Sequence, residues 1–269
     1  MSAGPGSPGR ASPERGNVRV VCRVRPQNQI EVDRGGTPCV SLSDTSIQIV
    51  TEDGDTSFTF DHVFGQDSKQ REVFDYVAAP TVADVMSGYN ATIFAYGQTG
   101  SGKTFTMEGA DIDDGELRGV IPRTADALFQ AIADADASIE FVVKVSYVEI
   151  YCEKIRDLLD EYRTKVNLPI REDRQKGVYI SGVTEEYITG PEELLAVMAR
   201  GATNRAVAAT GMNSGSSRSH SVFTVEIAST ETTTGATRTG KMVLVDLAGS
   251  EMVRKTGASG TQLKEAQNI

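Results

Sequence analysis

Eight residues close to position 100 have the types and the spacing needed to hold phosphate. Residues 97–104 read Gly-Gln-Thr-Gly-Ser-Gly-Lys-Thr and fit the phosphate-binding pattern G-x-x-x-x-G-K-[ST]. Glycines let successive backbone N–H groups curl around phosphate oxygens, and the final lysine and hydroxyl suit the β/γ-phosphates and Mg²⁺. The pattern predicts a nucleoside triphosphate and magnesium site made of Gly97, Gln98, Thr99, Gly100, Ser101, Gly102, Lys103 and Thr104.

Two further stretches carry side chains that suit the same chemistry. Residues 243–249 read as an apolar strand ending in Asp-x-x-Gly, where Asp246 could face Mg²⁺ and the Gly249 N–H could sense a γ-phosphate. Residues 213–220 hold four serines and one arginine, which could ligate magnesium, position water and stabilise developing charge. A plain turn and a polar loop are the alternatives, and neither pattern excludes its alternative when it is taken alone.

Composition limits the classes of protein that remain. The 269 residues are 39% hydrophobic, enough for a sizeable core, and no apolar run reaches the length of a membrane span. A formal net charge of −10 argues against broad nucleic-acid binding. Three widely spaced cysteines and two distant histidines fit neither a disulfide framework nor a zinc site. We therefore expect a cytoplasmic protein with reduced cysteines and neither a nucleic acid nor a membrane as partner.

The remaining chain predicts the elements that must position these residues. Residues 1–16 read as a disordered leader because they are Ser, Gly, Pro and Arg with few apolar residues. A helix capped by Asp67 or Ser68 should kink at Pro80 and lead into a strand at 91–96. Residues 153–159 suggest a short helical turn and 171–178 a charged hairpin. Strands alternating with helices indicate a three-layer α/β domain, with a mostly parallel mixed sheet flanked by helices.

Taken together and in order, the motifs resemble those of the kinesin motor domain. The three stretches are 97–104, 213–220 (Asn-Ser-Gly-Ser-Ser-Arg-Ser-His) and 246–251 (Asp-Leu-Ala-Gly-Ser-Glu). Residues 23–26 match the Arg-x-Arg-Pro nucleotide-base motif of that family. The resemblance runs from residue 17 to residue 269 and implies a P-loop nucleoside triphosphatase fold.

The resemblance implies a role for each matching position. Ser217 would join Thr104 near Mg²⁺, with Asp246 acting through a metal-bound water. Asn213 and Ser216 would approach the γ-phosphate and the attacking water. Arg218 and Glu251 would form an ion pair that closes the site over ATP; an ordinary exposed Arg–Glu pair is the alternative.

The same resemblance places the base of the nucleotide. It assigns the adenine to Arg23, Arg25, Pro26 and Tyr89, which offer packing and stacking surfaces. The Asn-Lys-x-Asp sequence that reads guanine is absent, which favours an adenine nucleotide. Without the resemblance these four residues would be interpreted as ordinary residues of strand ends and turns.

Kinesins bind microtubules, whose surface is acidic, so local basic residues matter more than net charge. By family position the candidate contacts are Lys144, Arg174, Lys176 and Lys255, together with Arg171, Arg254 and Lys264. A solvated charged surface is the alternative for any one of them. We expect the motor domain to occupy residues 17–269 and to be truncated at the start of the family's relay helix.

The sequence therefore predicts a microtubule-based motor that hydrolyses ATP with Mg²⁺ and associates with the cytoskeleton. A nucleotide-binding fragment without autonomous motility or efficient hydrolysis is the alternative, because the sequence lacks segments that kinesin motor domains carry after the position of residue 269. A P-loop metabolite kinase is a third interpretation, which shares the phosphate loop and little else.

Overall fold

The computed structural model describes residues 18–51, 54–174, 177–210 and 216–251, so the leader lies outside the described part. The chain forms two compact units, Met1–Ser68 and Lys69–Ile269. No helix in the described part is long and apolar enough to cross a membrane.

The N-terminal unit is built from short strands and one short helix. Strand β1 (Val21–Arg23) pairs in parallel with β5 (His62–Phe64), while β2 (Val40–Leu42), β3 (Ser46–Thr51) and β4 (Gly54–Thr59) form an antiparallel sheet. Helix α1 (Gln29–Asp33) begins with a capping box, in which Asn28 accepts the Glu31 N–H and Glu31 accepts the Asn28 N–H.

The second unit contains the largest sheet. Its order is β11 (Glu186–Ile188), β7 (Ile139–Tyr151), β12 (His220–Glu231), β13 (Thr237–Asp246) and β6 (Asn90–Ala95), with β8 (Lys154–Asp157) also on β7. A separate hairpin joins β9 (Ile170–Asp173) to β10 (Gly177–Ile180), as predicted for 171–178. The sheet is mixed, as predicted, but among its described strands only β13 and β6 pair in parallel. The expectation of a mostly parallel sheet was wrong, because β12 and β13 form an antiparallel hairpin and β7 pairs antiparallel with both β12 and β11.

One face of this sheet is covered by helices. Tyr147, Phe223 and Leu244 lie side by side on that face in register, and each is at most 1% exposed. The next row toward the C-terminal end of β13 places Glu149, Ser221 and Asp246 side by side on the same face. The register therefore brings two carboxylates under the helices. The second helical layer of the predicted three-layer fold stays a prediction.

The helices of this unit are α2 (Gln70–Val77), α3 (Ala79–Met86), α4 (Lys103–Met107), α5 (Val120–Ala133) and α6 (Pro191–Thr210). The predicted kink near Pro80 is a break at Ala78, which separates α2 from α3. The predicted caps Asp67 and Ser68 were wrong. Lys69 is the N-cap, and its N–H donates to Glu72 at 3.0 Å.

Two glycines let α3 and α6 approach the sheet closely. A Cβ at Gly201 of α6 would lie 2.1 Å from the Tyr147 ring, and one at Gly240 of β13 would lie 2.1 Å from the Val85 carbonyl oxygen of α3. Such approaches exclude any side chain larger than hydrogen. They fix both helices against the sheet face that carries Glu149 and Asp246.

Residues 153–159 do not form the helical turn that the sequence suggested. Cys152 and Glu153 both have positive φ, 47° and 61°, and reverse the chain within two residues. Residues Lys154–Asp157 then pair with β7 as strand β8. Two consecutive positive φ values define a type I′ hairpin turn, which hydrophobic periodicity cannot reveal.

Candidate nucleotide site

The phosphate loop lies between the end of β6 and the start of α4, the strand–loop–helix order that the sequence predicted. Gly100 and Gly102 adopt φ of 77° and 99°, which favours glycine at both positions. A Cβ at Gly97 would meet the Ser101 hydroxyl at 2.6 Å. The Lys103 ammonium donates to the carbonyl oxygens of Gly97 and Gln98 at 2.9 and 3.1 Å, so the loop curls around its own lysine.

Thr104 and Asp246, 142 residues apart in sequence, meet at the end of the sheet. The Thr104 hydroxyl donates to Asp246 Oδ2 at 2.6 Å, which leaves the hydroxyl lone pairs free to face a cation. Asp246 is 3% exposed, and its other oxygen, Oδ1, is buried with no hydrogen-bond partner among the described residues. A buried carboxylate oxygen without a donor is costly unless water or a cation satisfies it.

These donors fit the magnesium that the phosphate loop implies. Mg²⁺ prefers oxygen ligands and usually keeps several waters while it binds one or two protein oxygens and the phosphates. The Thr104 hydroxyl and the unsatisfied Oδ1 of Asp246 offer oxygen atoms of this kind. In the described residues no group of three or more His, Cys, Asp or Glu side chains could hold a metal alone.

Glu251 contacts the phosphate loop directly. Its carboxylate accepts the Thr99 N–H at 2.9 Å and also the Thr99 hydroxyl. Burial raises the pKa of Glu251, but these two hydrogen bonds, the backbone N–H of Glu251 and the Lys103 cation together hold the pKa below its usual range. A Cβ at Gly249 would lie 2.3 Å from the Glu251 carboxylate and 2.5 Å from the Thr99 hydroxyl, so a larger residue here would disturb the contact between Glu251 and Thr99. The ion pair between Glu251 and Arg218 stays a prediction.

The serine-rich stretch meets the Asp-x-x-Gly turn through its backbone. Ser216–Arg218 form one turn of 3₁₀ helix, and the Ser217 carbonyl accepts the Gly249 N–H at 2.7 Å. His220, the first residue of β12, accepts the Ala248 N–H on its Nδ1 at 3.1 Å. The serine-rich stretch and the Asp-x-x-Gly turn are therefore joined to each other. Asn213 lies outside the described residues, and the role of Ser216 stays a prediction.

A buried arginine that the sequence reasoning missed lies beside Asp246. Arg205 of α6 is 5% exposed, and its guanidinium lies 3.5 Å from Asp246 Oδ2 and 3.8 Å from Glu149 Oε1. It also donates to the Ser219 carbonyl at 3.0 Å. The guanidinium thus holds the end of the serine-rich stretch and the Asp246 carboxylate together.

The arginine extends this network to the end of α4. Glu108 lies 4.0 Å from Arg205 and accepts the Tyr147 hydroxyl at 3.2 Å, while Tyr147 accepts the Ser221 hydroxyl at 3.0 Å. Burial raises the pKa of Glu108, opposed by the Arg205 cation and assisted by the negative charge of Asp246. A chain of buried polar groups therefore runs from the helix after the phosphate loop to the predicted magnesium ligand.

The predicted base residues lie in different units. In the N-terminal unit Arg23 donates to the Ser68 carbonyl at 3.3 Å, and Arg25 donates to both carboxylate oxygens of Glu31. The Glu31 carboxylate is held by Arg25 and by the Asn28 N–H, which lowers its pKa to about 2. Tyr89, at the entry to β6 in the second unit, is 68% exposed. Adenine contacts of these residues and of Pro26 stay a prediction.

A phosphate loop on β6, a threonine–aspartate pair for a cation and two linked segments beside them define a P-loop nucleoside triphosphatase. The chain can be placed more narrowly. The family model of the kinesin motor domain matches residues 23–269, so the chain belongs to the kinesin motor domain family.

Individual relatives agree with this family. The chain is 51% identical over 255 residues to a kinesin heavy chain of Syncephalastrum racemosum and 50% identical over 257 residues to kinesin-related protein 3 of Dictyostelium discoideum, each alignment covering 94% of it. It spans only 27% and 21% of the length of these two proteins. A solved structure, described as that of a fast kinesin with implications for ATPase mechanism and microtubule interactions, superposes with a TM-score of 0.89. That structure is 49% identical, and the match covers 94% of this chain and 71% of the other.

Proposed function

We propose that this chain binds ATP with Mg²⁺ and hydrolyses it as the engine of a microtubule-based motor. The observation that carries the proposal is the Thr104 hydroxyl bonded to Asp246 while Asp246 Oδ1 is left without a donor, directly beside the phosphate loop. The kinesin family match supports the choice of ATP and of the microtubule.

In the proposed reaction a water attacks the γ-phosphate in line with the leaving oxygen, and the chain supplies position and charge. Lys103 releases the loop carbonyls and places its ammonium on the β- and γ-phosphates. Magnesium, when bound, neutralises charge on the phosphate oxygens, and Thr104 and Ser217 would hold it, with Asp246 acting through a water. Asn213 and Ser216 orient the attacking water.

The Gly249 N–H and Glu251 respond to the γ-phosphate in this proposal. Both already have partners: Gly249 donates to the Ser217 carbonyl, and Glu251 accepts from Thr99. A γ-phosphate that takes the Gly249 N–H must displace the Ser217 carbonyl. Glu251 must leave Thr99 before it can pair with Arg218 or accept a proton through water. Phosphate binding is thereby coupled to movement of both segments.

For the nucleotide base we propose Arg23, Pro26 and Tyr89 as packing and stacking surfaces for adenine. Arg25 takes a positioning role in this proposal, because its guanidinium is already held by both oxygens of Glu31. The pair joins the Arg-x-Arg-Pro turn to the first turn of α1, which orients Pro26.

Among the proposed microtubule contacts, the structure argues against Lys144. It lies in the middle of β7, and its ammonium is 2.9 Å from Glu226 and 3.2 Å from Glu185. Two carboxylates around one cation leave little positive potential for an acidic partner. Arg174, in the turn of the exposed β9–β10 hairpin, is the better candidate. Lys176 and Lys255 lie outside the described residues and remain candidates, and microtubule association would place the protein on the cytoskeleton of the cytoplasm.

The test is steady-state ATP turnover by the 269-residue chain with and without polymerised tubulin. Stimulation by tubulin supports the motor ATPase, and binding of ATP without turnover in either condition would overturn it. Arg174→Ala and Lys144→Met serve as a matched pair, since each removes one cation. We expect the first to raise the tubulin concentration needed for half-maximal stimulation and the second to leave it unchanged.

A further inference from the structure

The turn that follows β13 has each of its four backbone N–H groups bound to a different residue. Leu247 donates to the Ala95 carbonyl at 3.3 Å, and Ser250 donates to the Gly97 carbonyl at 3.1 Å. The two N–H groups between them bind the serine-rich stretch: Gly249 donates to the Ser217 carbonyl and Ala248 donates to His220 Nδ1. The outer bonds fix the turn to the phosphate-loop strand, and the inner bonds fix it to the serine-rich stretch.

Only one of these four acceptors is a side chain. The carbonyls of Ala95, Gly97 and Ser217 are set by the path of the backbone, whereas the imidazole of His220 is present because of the residue type. Ala248 is 3% exposed, so its N–H would lack a solvent partner if the imidazole were removed. An unsatisfied buried N–H is costly, which gives the His220 contact an energetic consequence for the turn.

Acceptance by Nδ1 requires a neutral ring that carries its proton on Nε2. Burial and the nearby Arg205 cation lower the pKa of His220, opposed by the charges of Glu153 and Asp246. The lone pair on Nδ1 is therefore retained near neutral pH. His220 also begins β12, where it pairs with Ile150, so the backbone next to the imidazole is held by the sheet.

We propose that His220 is a positioning residue for nucleotide hydrolysis: its Nδ1 holds the Ala248 N–H and thereby keeps the adjacent Gly249 N–H in place for the γ-phosphate that displaces the Ser217 carbonyl. Ala248 and Gly249 are consecutive, so only the φ and ψ of Ala248 separate the two N–H groups. His220 touches neither the phosphate nor water in this role and acts through the backbone of the turn. The inference rests on the proposed function, since it assigns Gly249 to the γ-phosphate.

The first test is the tautomer of the ring in the full 269-residue chain. The sequence contains two histidines, His62 and His220, so imidazole ¹⁵N resonances of histidine-labelled protein can be assigned with one variant, His62→Asn. We expect His220 to be neutral, with the proton on Nε2 and Nδ1 as a hydrogen-bonded acceptor. A proton on Nδ1, or a charged ring near neutral pH, would overturn the proposal.

The second test separates the Nδ1 acceptor from the bulk of the ring. In His220→Asn the amide Oδ1 can take the place of Nδ1, whereas His220→Gln places its oxygen nearer to Nε2 and His220→Ala has no acceptor. Amide hydrogen exchange of residues 247–250 should be faster in the Ala and Gln variants and close to wild type in the Asn variant. Single-turnover ATP hydrolysis should fall about tenfold in the same two variants, the value of roughly one hydrogen bond.

The outcomes distinguish this inference from the proposed function. If the wild-type chain binds ATP but hydrolyses none, the proposed function fails, while exchange and the ring tautomer still decide whether His220 holds the turn. Suppose that hydrolysis is present, and that the Asn variant hydrolyses ATP as slowly and exchanges its amide hydrogens as fast as the Ala variant. The Nδ1 assignment is then overturned. Circular dichroism of each variant reports whether it is folded, and Asn against Gln compares two variants with the same functional group.

Discussion

Replacement of Arg205 by methionine would remove the cation that three carboxylates share. The guanidinium lies 3.5 Å from Asp246, 3.8 Å from Glu149 and 4.0 Å from Glu108. Methionine fills similar space without charge, so Arg205→Met changes the electrostatics more than the packing. The side chains of Asp246 and Glu149 stay buried, at 3% and 7% exposure.

The magnitude follows from these distances. Two unit charges 3.5–4.0 Å apart interact with about 4 kcal/mol at an effective dielectric constant of 20, and the cost of desolvating the ions offsets much of that. Removing one partner of a buried ion pair typically costs about 3–5 kcal/mol, because the remaining charge is uncompensated. Glu149 keeps Arg156 at 3.1 Å, and Glu108 keeps the Tyr147 hydroxyl. We therefore expect a loss of about 3 kcal/mol in the free energy of unfolding at neutral pH.

Glu108 makes the stability deficit of Arg205→Met depend on pH. Burial raises its pKa in the folded chain, and the Arg205 cation opposes that rise. Without the cation the folded pKa rises further above the unfolded value. A raised folded pKa stabilises below the unfolded pKa, and this stabilisation is lost as the pH rises through the folded pKa. The deficit of the variant should therefore be smaller in mild acid than at neutral pH.

Urea unfolding monitored by circular dichroism measures both effects. Arg205→Lys keeps a charge and loses the forked contact with Ser219, so its stability should lie between those of wild type and Arg205→Met. The double variant Arg205→Met/Glu108→Gln removes one uncompensated carboxylate and should recover part of the loss. A deficit of Arg205→Met below about 1 kcal/mol, or one that is equal at both pH values, would refute the electrostatic reasoning.

Three further predictions concern the loop, the carboxylate beside it and the packing of α6. Lys103→Ala should abolish tight binding of a fluorescent ATP analogue, because it removes the cation for the β- and γ-phosphates; unchanged affinity would contradict the site. Glu251→Ala should not weaken nucleotide binding but should slow single-turnover hydrolysis, and wild-type rates would exclude its role. Gly201→Ala places a Cβ 2.1 Å from the Tyr147 ring, so the urea midpoint should fall by the equivalent of about 1–3 kcal/mol. Gly235→Ala is the comparison: its Cβ meets nothing within 4 Å, but the residue has φ of 71°, so this variant tests backbone strain without a clash.

The sequence was most informative where a motif binds through its own backbone. The phosphate loop was predicted residue by residue, since its glycines and its lysine are adjacent in the chain. The motifs placed Thr104 and Asp246 each near Mg²⁺, but their direct contact was not predicted, because nothing local links two residues 142 positions apart. The hairpin at Cys152 was missed because its turn depends on two positive φ values at residues that seldom adopt them.

The buried network under the site was also missed, although the sequence contains a signal for it. Leu194, Met198, Gly201 and Arg205 recur at the spacing of one helix face, so a charged residue occupies a core position of α6. Likewise Glu149 continues the alternation of Val143, Val145 and Tyr147 on the buried face of β7. A charge at a core position predicts a buried partner, but only the sheet register shows that the partners are Asp246 and Glu149.

The contact between Glu251 and Thr99 occupies donors of the phosphate loop when no nucleotide is bound. A carboxylate offers acceptor oxygens as a phosphate does, so the Thr99 N–H and hydroxyl already hold an anion supplied by the chain itself. Arrival of a phosphate at these donors is then an exchange of one anion for another, and the donors remain satisfied before and after it. Removal of Glu251 would act in opposite directions on two quantities: the apparent affinity for nucleotide would rise, and the stability of the nucleotide-free chain would fall.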